Sequence, residues 1–264
     1  EKASGDFSDA ILVAAQNDGA FLGRAESNFS LGKYDRCITD LLKAKELLMK
    51  LSTNQKALLV NAYVKYAGQL FDLGKYAAVL ENIDHALEND PEVLQSTKEL
   101  QTESNYQLGL LEKSNNSAIE YFNQALAITE DHIPARLARA KKLIELPKVQ
   151  EGTDEFQYVA SAPNATQIEK MEAFWSLAKL AEEFSDSRKY FDFALRLARE
   201  TSASELTSIS LDYANRISED KAAGLEDLFN AIGILQASKA PEPKLNVALS
   251  ELYEKLATRK LSLI

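Results

Sequence analysis

The tetrapeptide Leu-Gly-Lys-Tyr stands at residues 31–34 and again at 73–76. A chain that writes the same corner twice between similar flanks is constrained to fold as a repeat. Downstream of each corner runs an amphipathic segment, YDRCITDLLKAKELL from Tyr34 and YAAVLENIDHALEND from Tyr76. Weaker versions follow: SAIEYFNQALAITED at 117–131, SRKYFDFALRLARE from Ser187 and AAGLEDLFNAIGILQ from Ala222.

Aligning these segments on one alanine gives Ala44, Ala86, Ala125, Ala160, Ala194 and Ala231, spaced by 42, 39, 35, 34 and 37 residues. Seven residues before each alanine stands a small or medium residue: Cys37, Val79, Ala118, Thr153, Ser187 or Gly224. Three residues before it stands Leu41, Ile83, Phe122, Gln157, Phe191 or Leu228, apolar in every unit except the fourth. Small residues two turns apart let a neighbouring helix approach closely, and the bulky residue between them fills the flanking space. The pattern therefore marks a packing face, and Gly224→Leu or Ala86→Leu is expected to overpack it. Each segment follows another helical run. In NAYVKYAGQLFDL, for instance, Tyr63, Tyr66, Ala67, Leu70 and Phe71 recur at three- and four-residue steps. The unit is thus helix, tight corner, helix, with the glycines of the two corners ending the first helix in a left-handed conformation.

This unit resembles the tetratricopeptide repeat (TPR), most fully between Tyr63 and Pro91. There Tyr63, Ala67, Gly74, Tyr76, Ile83, Ala86 and Pro91 stand at the aromatic, small, corner, aromatic, bulky, small and terminating positions. Phe21, Ala25, Gly32, Tyr34, Cys37 and Ala44 carry the first unit, while the fourth to sixth depart further, with Gln157 and Trp175 at positions the family fills differently. The resemblance implies an all-α fold: a right-handed α-solenoid of about six hairpins. The units are read over 18–51, 56–91, 92–131, 133–163, 165–200 and 203–237, all within one domain spanning 1–264. A partial helix over 7–16 precedes them. The segment PEPKLNVALSELYEKLATRK, with proline near its start and basic residues in its last turn, reads as a capping helix over 242–261.

Composition narrows the function. Formal net charge is -10, which repels polyanions on average, so no nucleic-acid partner is expected. No run of about 18 apolar residues is present, so no membrane insertion is expected. The single cysteine, Cys37, sits on the packing face as an inert thiol, and His85 and His132 lie far apart near helix ends. No metal site or cofactor is therefore expected. The sequence holds no Gly-rich phosphate loop, nucleophile elbow or His-Glu-x-x-His helix, and the chain reads as a non-enzyme. It begins at Glu1 without methionine and reads as a fragment or processed form, which leaves the compartment open between the cytoplasm and export after leader removal.

In proteins of the resembled family, the first helices of successive hairpins line a concave groove that takes peptides or partner helices. By the repeat phase, the groove-facing residues here would be Phe29, Lys65, Phe71, Arg139, Lys142, Lys179, Tyr213 and Arg216. The five cations among them imply an acidic peptide or a C-terminal carboxylate as ligand. Leu22 and Glu26 occupy the first unit's face, so the lysine–asparagine clamp with which some family members hold chaperone tails is not reproduced. The expected role is a protein-interaction scaffold or adaptor. A peptide-sensing regulatory domain or a structural subunit of a larger assembly remain the alternatives, with oligomeric state open.

Overall fold

The computed structural model describes residues 2–221, 223–238 and 242–261. Ala222, which opens the sixth amphipathic segment, and Pro241, ahead of the last helix, lie outside them. The described residues form fourteen α-helices, one short 3-10 turn (Pro91–Val93) and no strand. In chain order the helices are α1 (Lys2–Val13), α2 (Asp18–Ser30), α3 (Tyr34–Leu48), α4 (Thr53–Asp72), α5 (Tyr76–Asn89), α6 (Leu94–Leu111), α7 (Asn115–Ile128), α8 (Ile133–Ile144), α9 (Val149–Ser161), α10 (Gln167–Leu180), α11 (Phe184–Glu200), α12 (Leu206–Glu219), α13 (Leu225–Ala237) and α14 (Glu242–Leu261). No helix among the described residues is long and apolar enough to cross a membrane.

The chain divides into two compact units, the first ending at His132 and the second beginning at Ile133. In the first, α1 leads into the hairpins α2–α3, α4–α5 and α6–α7; in the second, α8–α9, α10–α11 and α12–α13 are followed by α14. Within each unit a hairpin packs on the next through consecutive helices. This is an all-α helical-repeat fold of the solenoid class.

Local chemistry fixes where helices begin. Ser52 and Gln55 close a capping box at the start of α4, the Ser52 amide donating to Gln55 Oε1 at 2.9 Å. Thr166 and Glu169 repeat it at α10, with the Thr166 amide 2.7 Å from Glu169 Oε2. The two recurring corners fix where helices end. Gly32 and Gly74 have φ of 71° and 70°. Lys33 N–H donates to Asn28 O at 2.9 Å and Gly32 N–H to Phe29 O at 3.0 Å, and Lys75 and Gly74 repeat both bonds to Leu70 and Phe71. These are Schellman closures, which satisfy the last carbonyls of the helix and need a left-handed residue that glycine supplies without strain. Each corner is also braced by the same ring pair: Phe29 on Tyr34 and Phe71 on Tyr76, both at 5.3 Å and nearly edge-to-face.

The packing face forms where the alanine register places it, with one shift. Ala44, Ala86, Ala125, Ala194 and Ala231 are all fully buried. In the fourth unit, however, Thr153 and Ala160 are only partly buried and Gln157 is exposed. The buried set there is Gly152, Phe156 and Val159, one residue earlier in the chain. The physical reason is Gly152. A Cβ there would lie 2.6 Å from Ile144 Cγ2 and 3.0 Å from the Ala140 carbonyl oxygen, so only glycine lets α9 come this close to α8. Gly224 plays no such part. It precedes α13, and a Cβ there would meet only Asp227 Oδ2, at 3.5 Å.

A second device recurs between hairpins. The first helix of one hairpin sends a polar side chain back to the carbonyls that end the first helix of the hairpin before. Gln69 of α4 donates to Gly32 O at 3.0 Å. Arg216 of α12 donates to Glu182 O at 2.9 Å and reaches Ala181 O. Lys255 of α14 donates to the Ile217, Ser218 and Asp220 carbonyls, and Arg259 to that of Lys221 at 2.7 Å. Orphan carbonyls at a helix C-terminus are favourable partners for cations. By this criterion α14 treats α12 as α12 treats α10, and so occupies the place of a first helix.

Candidate partner-binding site

In the first unit, the end of α4, the first half of α6 and the chain just beyond α7 enclose an open cavity of about 760 Å³. Phe71 and Leu100 give it an apolar wall, and Lys98, Glu99, Glu103, Thr102, Thr129 and His132 are among the residues that give it a polar one. A volume of this size lies within the range of small-ligand and side-chain sites. Its shape is set by contacts among its lining residues and with the residues behind them. The Thr102 and Thr129 hydroxyls are 2.8 Å apart, tying α6 to the end of α7. His132 packs edge-to-face on Tyr106 at 5.3 Å, and its Nε2 lies 3.5 Å from Glu103 Oε2. The other oxygen of Glu103 accepts from Gln107 Nε2 at 2.7 Å. Phe71 is held by its ring contact with Tyr76, so the apolar wall is fixed before any ligand arrives.

The side chains expected to face a groove meet different fates. Phe71 lines this cavity. Phe29 is half-buried in the first corner against Tyr34. Lys65 is exposed on α4. In the second unit, Arg139 shares Glu155 of α9 with Arg136, whose guanidinium also lies 3.9 Å from the centre of the Tyr158 ring. Lys142 lies 3.6 Å from Glu145, and Lys179 sits 4.5 Å over the ring of Trp175. Arg216 is the carbonyl-capping residue described above.

Tyr213 departs from the expectation outright. It is fully buried, 5.4 Å from Phe191, and faces no groove. Burial, reinforced by the charge of Asp192, pushes its hydroxyl up to about 12. The phase counted from the alanines put Tyr213 in the groove, whereas it packs against Phe191, the bulky core residue of the preceding hairpin. Of the five cations, Arg139 and Lys142 are matched by carboxylates, Arg216 by carbonyls and Lys179 by an indole face, while Lys65 is exposed.

No family model matches the chain, and no curated protein matches it. Solved structures do. The human IFIT1 dimer with PPP-AAAA is 17% identical, with a TM-score of 0.42, covering 98% of this chain and 68% of that one. The same dimer with m7Gppp-AAAA is also 17% identical, with a TM-score of 0.41 over the same shares. The P58(IPK) TPR domain is 15% identical with a TM-score of 0.28, covering 97% of this chain and 83% of that domain. The fold is a TPR-like helical repeat. These likenesses are of fold alone.

They do overturn one expectation. The exclusion of nucleic acid rested on the net charge of -10, yet helical-repeat structures among these neighbours hold PPP-AAAA and m7Gppp-AAAA. Net charge is an average over the whole surface, and recognition is decided by the charges lining one concavity. The acidity of this chain is therefore no ground for excluding nucleic acid.

Sequence reasoning missed the cavity itself. His132 was read as a helix-end histidine, and Glu99 and Glu103 were not singled out. The available signal was their spacing. Two glutamates four residues apart on a helix repel each other, and no basic residue stands one turn away to relieve them.

Proposed function

We propose that this chain is a non-catalytic interaction scaffold that receives an extended segment of a partner protein in the cavity of its first unit. One observation carries the reading: an open, mixed apolar and polar cavity of about 760 Å³ whose wall residues are held by contacts with one another and with Tyr76 behind them. A preformed wall lowers the ordering cost of binding, because the protein need not rearrange to meet the segment. The Schellman corners and the Gln69 contact of the first unit supply the rigidity behind it. Such a frame suits recognition, in which a partner is held and released unchanged.

A photo-crosslinking residue at Ser96, on the cavity wall, tests this in extracts of the native cell, with the same residue at Lys43 of α3, which does not line the cavity, as control. The expected result is a defined protein captured from Ser96 and absent from Lys43. Its purified complex with the chain should weaken on Phe71→Ala by about tenfold or more. Capture of nucleic acid in place of protein, or a partner indifferent to Phe71→Ala, would overturn the proposal.

A further inference from the structure

The walls of the cavity also narrow the chemistry of its occupant. Resting on the reading above, we infer that the segment it accepts carries a lysine or arginine side chain, seated between Glu99 and Glu103 with its stem along Phe71.

Three observations converge. Glu99 and Glu103 lie one turn apart on α6, and both line the cavity. At this spacing two carboxylates face the same way and destabilise the helix, so a cation placed between them removes a repulsion as well as adding an attraction. The structure leaves that role open. Gln107 and His132 position Glu103, but among the described residues no hydrogen bond or ion pair engages Glu99. Lys98 reaches the same cavity, yet it adjoins Glu99 in sequence, and neighbouring helix residues point about 100° apart.

The second observation is the aromatic wall. Phe71 is braced by Tyr76, and a ring that lines the same cavity as two carboxylates suits a long aliphatic stem ending in a positive charge. The third is the supply of acceptors. The carboxylates of Glu99 and Glu103 accept only, and the paired Thr102 and Thr129 hydroxyls, with one proton engaged between them, keep further lone pairs. Lysine and arginine heads are pure donors, with three and five N–H groups respectively, and match such a wall. An acidic or phosphorylated segment would instead bring like charge onto two glutamates, of which Glu103 is half-buried and Glu99 exposed.

The experiment uses three immobilised octapeptide libraries, random except for one central residue fixed as lysine, glutamate or uncharged norleucine. The full chain is probed alongside Glu99→Gln/Glu103→Gln and Phe71→Ala variants, with far-UV circular dichroism to confirm that all are folded. The inference expects the lysine library to retain the native chain at least ~10-fold over the other two, a factor typical of a partly desolvated charge-assisted contact. It expects the double glutamine variant to lose that preference. Equal retention on lysine and norleucine, both abolished by Phe71→Ala, would overturn the inference and leave the scaffold reading standing. Retention on none of the libraries would remove both. Retention of a single-stranded oligonucleotide through Phe71 in place of the peptides would likewise overturn it.

Discussion

The tightest test of the packing lies at Gly109 of α6. A Cβ built there would run into Cε1 of the Phe122 ring, with Cδ1 and Cζ at 2.7 and 2.9 Å. Carbon pairs in protein interiors sit at ~3.5–4.0 Å, so the ring would have to retreat by roughly 1 Å. It has little freedom to do so, because Phe122 is fully buried and its ring lies 6.1 Å from that of Tyr106. Overpacking of this kind costs ~1–3 kcal/mol, and a clash with three atoms of a rigid ring belongs at the upper end. Against it stands the helix preference of alanine over glycine, worth ~1 kcal/mol. Gly109→Ala should therefore destabilise by about 2 kcal/mol. Phe122→Leu alone should also destabilise, through the volume it leaves empty. In that background the obstacle is gone, and Gly109→Ala should become stabilising by about 1 kcal/mol, a coupling of about 3 kcal/mol between the two sites. Urea denaturation of the four proteins of the cycle, followed by far-UV circular dichroism, measures it. If Gly109→Ala is as stable as the native chain, or costs the same with leucine at 122, the close approach of α6 and α7 is misread.

Three other consequences can be checked on the same chain. Ser202 closes α11 with φ of 53°, its neighbour Ala203 donating to Ala198 O at 2.9 Å as in the glycine corners; Ser202→Gly should raise stability by ~0.5–1 kcal/mol, while Gly74→Ala, at φ of 70°, should lower it by ~1 kcal/mol or more. A thermal melt distinguishes these opposite signs. Arg216→Met keeps the apolar stem but strips the cap from the end of α10, and should cost ~1–2 kcal/mol by urea titration; a neutral result would mean that water serves those carbonyls equally well. Tyr213 keeps its proton in the folded state up to about pH 12 against an ordinary value of 10.0, so unfolding releases a proton in between. Its contribution is complete below pH 10, and about 3 kcal/mol is lost as pH rises towards 12. Tyr213→Phe should remove that part of the alkaline slope and leave the part due to Cys37, whose thiol is also raised to about 12 by burial, with the charges of Asp40 and Glu26 adding to it. An unchanged slope would place Tyr213 in contact with water.

The residues that were legible in the sequence share one property: their meaning is local. The glycines of the Leu-Gly-Lys-Tyr corners announce a left-handed turn through chemistry that spans six residues, and the buried alanines repeat with the period of a helix face. Even the displaced fourth unit broke the pattern visibly, at Gln157, because an exposed polar residue had been assigned to a buried position. Gly152 and Gly109 carried no such signal. A glycine within a helix reads the same whether a neighbour presses on it or open solvent surrounds it, and only the approach of Ile144 and Phe122 separates these cases from Gly68, which meets nothing within 4 Å.

From the sequence alone came the secondary structure, the helical hairpin as repeating unit, and the face by which each hairpin joins its neighbour, since all three follow from periodicity and turn chemistry within a few dozen residues. The tertiary structure alone decided which charges are spent. Arg139 meets Glu155 across 16 residues and Arg216 meets Ala181 across 35, whereas Glu99 and Glu103 are left facing an opening. Ion pairing and carbonyl capping depend on distances between helices, which no helical period specifies. A groove counted from the repeat phase therefore named Arg139, Lys179 and Arg216, which the fold employs internally, beside Lys65, which stays exposed, and passed over the carboxylates that line the cavity.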